Sequence, residues 1–241
     1  MYGATVFDLA GLAVLVVGWV SYTAFADRAE RKSPNLISAM HRHRLAWMRA
    51  MMKRELRMVD SQITDISVRN VSLLASTSVL ILGALAAALM APEGARMFVS
   101  NLPFVVETTR ELWDLKVLGL AVVFVYGFFK FAWALRQFNY VAVLIGTAPA
   151  PSETDRHEFA ARQLADVGSL AVLSYNRGIR AYYFGLAMMS WFLNPILLII
   201  AIIWVLAVLY RREFRSRTLK VLTRGADAAA DSASSGAGAP R

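Results

Sequence analysis

Residues 181–210 read AYYFGLAMMSWFLNPILLIIAIIWVLAVLY, and the way this run divides decides how often the chain crosses a bilayer. The run exceeds the ~20 apolar residues needed to cover ~30 Å of hydrocarbon. Asn194-Pro195 falls near its middle, and proline removes a backbone hydrogen bond from a helix interior. Two readings follow. Either this is one span kinked at Asn194-Pro195, or it is a hairpin whose halves, ~13 residues each, are too short to cross. Tyr182-Tyr183 and Trp204/Tyr210 resemble two separate interfacial belts, which favours a single kinked span over 182–210. Asn194 then serves as a structural polar fixture beside the carbonyl region freed by the proline.

Outward from that run, three more apolar stretches reach spanning length, giving expected spans at about 6–26, 71–91 and 115–136. The chain is 57% hydrophobic and has no cysteine, with a mean hydropathy of +0.47. That composition points to a membrane protein and excludes disulfides, thiolate metal sites and a thiol nucleophile. Ala24-Phe25-Ala26 looks like a signal-peptide cleavage site. However, Asp8 precedes the apolar core while Arg28, Arg31 and Lys32 follow it, the reverse of a signal peptide. The expectation is an uncleaved anchor with its N-terminus outside.

Ten basic residues lie between the first and second runs. Only Arg96, Arg110 and Lys116, against four acids, lie between the second and third. The positive-inside rule places the first connection in the cytoplasm and the second outside. The third, 136–180, has five arginines and returns inside. A fourth span then leaves the tail outside, although it opens with Arg211, Arg212, Arg215, Arg217, Lys220 and Arg224. That conflict is the cost of the kinked-span reading. Residues 1–224 are expected to form a single transmembrane helical domain, and the small-residue stretch 225–241 a disordered tail.

The connections also read as helices. Leu45, Met48, Met52, Leu56, Val59, Ile63 and Ile66 recur at spacings of three and four, one stripe of a long amphipathic helix suited to the inner leaflet. Arg44 and Glu55 project into its apolar arc, so both are expected to pair with other elements. After Ala148-Pro149-Ala150-Pro151, Ser152 looks like an N-cap. The following helix is expected to end at Asn176-Arg177-Gly178, with the last span starting near Ile179.

No catalytic motif stands out. His41, His43 and His157 lie outside the expected spans, and no histidine-carboxylate spacing suits a metal. There is no nucleophile elbow, phosphate-cradling loop or HExxH. Neither catalytic nor metal residues are assigned, no cofactor is implied, and an enzyme is not expected. The net charge of +9 fits cytoplasmic loops and anionic lipid rather than nucleic acid. In the third run, Tyr126, Lys130, Trp133, Gln137 and Tyr140 fall on one helical face. Lys130, Arg136 and Asn139 there sit within or just below the inner bilayer, where polar groups are functional candidates unless they snorkel. Arg180, placed near a helix start, calls for an anion: a phosphate, a carboxylate such as Glu55, or an anionic ligand.

The blocks HRLAWMRAMMKRELRMVDSQI, LLASTSVLILGALAA, FKFAWALRQFNYVAVLIGTAP and YNRGIRAYYFGLAMMSWFLNP resemble those of the domain of unknown function 599 family. The resemblance implies a multi-pass membrane protein, mostly bacterial, with no activity to carry over.

The expected fold is an all-α membrane bundle of about four spans, with long cytoplasmic helices between spans 1–2 and 3–4. The leading function is a non-catalytic component of the bacterial inner (plasma) membrane that binds anionic lipid, a partner membrane protein or another copy of itself. The alternative is a transporter or sensor of a small anionic solute at the cytoplasmic mouth. Arg54, Lys130, Arg136, Arg177 and Arg180 are the anion- or lipid-binding candidates. Arg44, Glu55, Asn139, Asn176 and Asn194 are the structural polar fixtures. Convergence of the five cations in one pocket would favour the solute.

Overall fold

The protein is described by a computed structural model covering residues 6–32, 36–101, 105–106 and 108–222. The stretch expected as a tail, 225–241, lies outside the described residues. The order is α1 (Val6–Lys32), α2 (Leu36–Met52), α3 (Met58–Met90), α4 (Pro92–Ser100), α5 (Arg110–Gly146), α6 (Thr154–Met189) and α7 (Pro195–Phe214), with a 3-10 turn at Ser190–Phe192 before α7. The fold is an all-α bundle. α1, α3, α5 and the stretch beginning with α7 are long and apolar enough to cross a membrane.

α5 and α6, with 37 and 36 residues, form the central antiparallel pair, each about 55 Å long. Their register is set by side chains that meet. Tyr182 packs over Gly127, the Phe131 ring lies against Gly178, and Ser174 donates to Gln137 at 2.8 Å. A Cβ on Gly178 would fall 2.5 Å from the Phe131 ring, far inside van der Waals contact. Gly178 therefore lets two helices approach instead of ending one. α6 runs through Asn176-Arg177-Gly178 without a break, contrary to the sequence expectation. It also starts at Thr154 with Glu153 at the N-cap, one residue after the expected cap Ser152, and no side chain bonds the cap.

The run 181–210 is not one kinked span. α6 carries it to Met189, the chain turns at Ser190–Phe192, and α7 returns antiparallel, so that Arg180 of α6 meets Glu213 of α7. The ~13-residue limit did not apply, because the first half of the hairpin borrows its length from upstream in α6. Asn194 caps the returning helix by accepting from the Ile196 amide at 2.8 Å, and Pro195 occupies a first-turn position where its missing N–H costs nothing. Asn-Pro is thus a helix start.

The long helix expected through 45–66 is also two helices. The chain breaks at 53–57 and α2 folds back onto α5 and α6. Met48, Met51 and Met52 become buried with Val141, Ile145, Ala161 and Leu164. Arg57 fixes this turn by donating to the carbonyls of Ala148 and Pro149 in the α5–α6 connection. Leu56 and Val59, the second half of the presumed stripe, are left exposed.

Candidate functional site

Two charged clusters tie the helices together at opposite ends of α1. At one end Asp8 is buried and accepts from Trp191 Nε1 at 2.8 Å. Lys116 lies 3.9 Å from the same carboxylate and donates to the Trp191 carbonyl at 2.9 Å. At the other end Asp27 accepts from Arg177 at 2.7 Å and from Arg180 at 3.4 Å. Arg180, 2% exposed, also donates to both oxygens of Glu213, at 3.0 and 3.3 Å. Tyr22 completes this side by donating to Glu213 at 2.9 Å. The nineteen helical rises from Asp8 to Asp27 span ~28 Å, close to the ~30 Å thickness of bilayer hydrocarbon.

The second cluster forms one end of a cleft of about 450 Å³ between α6 and α7, bounded by the end of α1 and the start of α2. Ile179, Leu186, Leu209 and Phe214 supply apolar walls, while Arg180, Arg212 and Glu213 supply polar groups. Arg212, exposed, donates to the Tyr183 hydroxyl at 2.6 Å. Arg177 Nε is buried without a hydrogen-bond partner. Asn176 also lines the cleft, on the body of α6.

The remaining candidates lie elsewhere. Arg54 pairs with buried Asp60 at 2.7 Å, beside Trp47 Nε1, which donates to the same oxygen. Lys130 sits over the Tyr126 ring at 5.2 Å. Arg136 is exposed, stacking on Trp133 and donating to Tyr140 at 2.6 Å. The five cations do not share one pocket: only Arg177 and Arg180 come together, and they meet the chain's own carboxylates. Arg180 is also far from any helix start, deep in α6; its anions are Asp27 and Glu213 in place of the suggested Glu55.

Among the fixtures, Arg44 donates to Ser169 of α6 at 2.6 Å, and burial holds its guanidinium below the usual value. Glu55 is exposed in the α2–α3 turn. The helical projection that pointed it inward fails because the helix ends before it. Asn139 is likewise exposed, on the outer face of α5. On the surface of this region Arg49 makes a two-pronged pair with Glu158, at 2.6 and 2.9 Å. Hydrogen bonds from Arg49 and then Arg162 pull the Glu158 carboxyl down to about 2.

Sequence reasoning missed Asp27 and Glu213. Each is a carboxylate beside a basic run, Asp27 before Arg28 and Glu213 within RREFR. Isolated acids in that position mark a cation brought from another helix, because an unpaired carboxylate at a bundle interface is costly.

Comparison with curated proteins and with solved structures returns no match. The family model described as a protein of unknown function, DUF599, matches residues 10–218. That match covers most of the chain, which carries four helices of spanning length, and the chain belongs to the DUF599 family.

Proposed function

We propose that the protein is a non-catalytic membrane component that binds an anionic lipid, its acyl chain between α6 and α7 and its phosphate at Arg212. The observation that carries this reading is the α6–α7 cleft, whose apolar walls lead to the Arg212–Tyr183 pair. A phosphate takes charge-assisted hydrogen bonds from an arginine that no carboxylate already neutralises. Arg212 meets that condition, since it donates to the neutral Tyr183 hydroxyl. Arg180, held by Asp27 and Glu213, shapes the cleft floor.

The fold and the positive-inside rule together support one orientation. Arg28, Arg54, Arg156 and Arg212 lie at the helix ends and in the α2–α3 turn on the Asp27 side of the bundle, and Glu93, Glu111 and Asp114 on the Asp8 side. With α6 counted as a crossing element there are five passages, the N-terminus is outside, and the basic tail is cytoplasmic. The excess of arginine then faces the anionic leaflet.

Native mass spectrometry of the protein released from mixed phosphatidylglycerol/phosphatidylcholine nanodiscs tests the assignment. Retained phosphatidylglycerol is expected in the wild type. Arg212→Gln should lower it, and Leu186→Trp, which fills the cleft, should do so without removing charge. Equal retention of the two lipids, or full retention by both variants, would overturn the reading.

A further inference from the structure

Beyond the Asp27 end of the bundle, two buried clusters fail to close against each other. Met48 and Val141 belong to one and Phe138 to the next. All three line a cavity of about 310 Å³ that α2, α3, α5 and α6 leave between them. Trp47 and Val172 complete its apolar walls, and exposed Met40 and His43 mark its mouth. The walls are fixed from behind. Trp47 Nε1 donates to buried Asp60 at 2.7 Å, and the lining residue Thr64 donates to the Asp60 carbonyl at 3.1 Å. Gly168 of α6, also in the lining, comes nine residues before Arg177. The cavity therefore lies ~14 Å along α6 from the charged end of the spans, outside the hydrocarbon, and its apolar walls do not face lipid tails.

One guanidinium lies in this cavity. Arg44 crosses α6 at Gly168, its Cδ 3.0 Å from the place a Cβ on that glycine would take. It donates to the neutral Ser169 hydroxyl at 2.6 Å, and its other N–H groups have no protein acceptor among the described residues. The arginines around it are treated differently: Arg49 meets Glu158, Arg54 meets Asp60, and Arg57 meets two carbonyls. Asp166 pairs with His41, at 3.8 Å, and not with Arg44. Burial works against the Arg44 charge, and an anion beside it would relieve that opposition.

We infer that this cavity binds a small monocarboxylate with a short apolar body, its carboxylate taken by Arg44 and its body held between Trp47, Met48 and Phe138. A planar guanidinium fork matches a carboxylate with two parallel hydrogen bonds, and one cation balances one negative charge. The volume stands at the lower end of ligand pockets, with room for a short chain or a single ring but not for a two-chain phospholipid. This site is separate from the α6–α7 cleft and does not depend on the lipid reading.

Isothermal titration calorimetry on the full chain in phosphatidylcholine nanodiscs, with empty nanodiscs as the blank, tests the site with octanoate and phenylpropionate. At least one of them should bind saturably, one per chain. It should bind about tenfold or more tighter than acetate, which lacks the body, and than octanol or phenylpropanol, which lack the charge. Arg44→Gln should weaken that carboxylate about tenfold or more while leaving the alcohol's affinity unchanged. Gly168→Ala, which displaces Arg44 without removing its charge, should weaken it as well. Arg42→Gln, which removes an exposed cation two residues away, should not. No saturable binding of either carboxylate, equal binding of carboxylate and alcohol, or full carboxylate affinity in both Arg44→Gln and Gly168→Ala would each overturn the inference.

Discussion

Replacing Arg180 by methionine tests how the bundle is held at its charged end. The side chain is 3% exposed and makes three contacts with carboxylate oxygens, two to Glu213 and one to Asp27. Removing one member of a fully buried ion pair costs about 3–5 kcal/mol, because the partner is left charged and unpaired. Two features lower that figure here. Asp27 and Glu213 are 29% and 22% exposed, so water reaches both. Each also keeps a donor, Arg177 at 2.7 Å for Asp27 and Tyr22 at 2.9 Å for Glu213. The expected loss is about 2–4 kcal/mol. At roughly 2–4 °C per kcal/mol for a chain of this size, Tm should fall by roughly 4–16 °C. Circular dichroism melts in nanodiscs at a single scan rate give the comparison. The paired variant Arg180→Met/Glu213→Gln should recover part of the loss, with a coupling of about 1–3 kcal/mol. A single variant melting within about 1 °C of the wild type, or strictly additive losses, would refute a stabilising role for the pair.

Other consequences can be checked separately. Gly178→Ala forces its new methyl against the Phe131 ring and should cost about 1–3 kcal/mol by overpacking; Phe131→Leu in the same chain should restore part of it, read as Tm. Glu158 is held down to about 2 from an ordinary 4.5 by Arg49 and Arg162. Its contribution to docking α2 on α6 is therefore complete above pH 4.5 and is lost as pH falls through about 2. Spin labels at Ala46 and Gln163 should show a wild-type distance distribution distinct from that of Glu158→Gln at neutral pH, and the difference should vanish at the acid limit. A topology reporter fused after Arg224 should report the same side as one inserted at 53–57 and the opposite side from one at Gly94. Opposite signals from the first two would remove the α6–α7 hairpin.

Much of the fold was legible as one-dimensional pattern. The apolar runs that became α1, α3, α5 and α7, the all-helical class and the family resemblance all come from local properties of consecutive residues. The polar fixtures were legible only where the local helix was continuous. Arg44 meets Ser169 because α2 runs unbroken through it. Glu55 is exposed because projecting residues at ~100° each assumes a helix that ends at Met52. The tail's six basic residues, at odds with four alternating passages, carried the hairpin's signature. Interfacial tyrosines and the short halves of 181–210 outweighed it.

The sequence by itself determined that this chain belongs in a membrane, which residues are apolar enough to lie there, and how long the helices could be. Hydrophobicity and helical period act residue by residue and need no partner. The tertiary structure decided that α6 rises into the bundle carrying Arg177 and Arg180. A buried arginine is tolerable only where carboxylates from other helices neutralise it, and Asp27 and Glu213 lie 153 and 33 positions from Arg180 along the chain. The same structure decided that Asn194-Pro195 starts a helix. A proline fits equally well in a kink or in a first turn, and the packing of α7 back against α1 and α6 selects the turn.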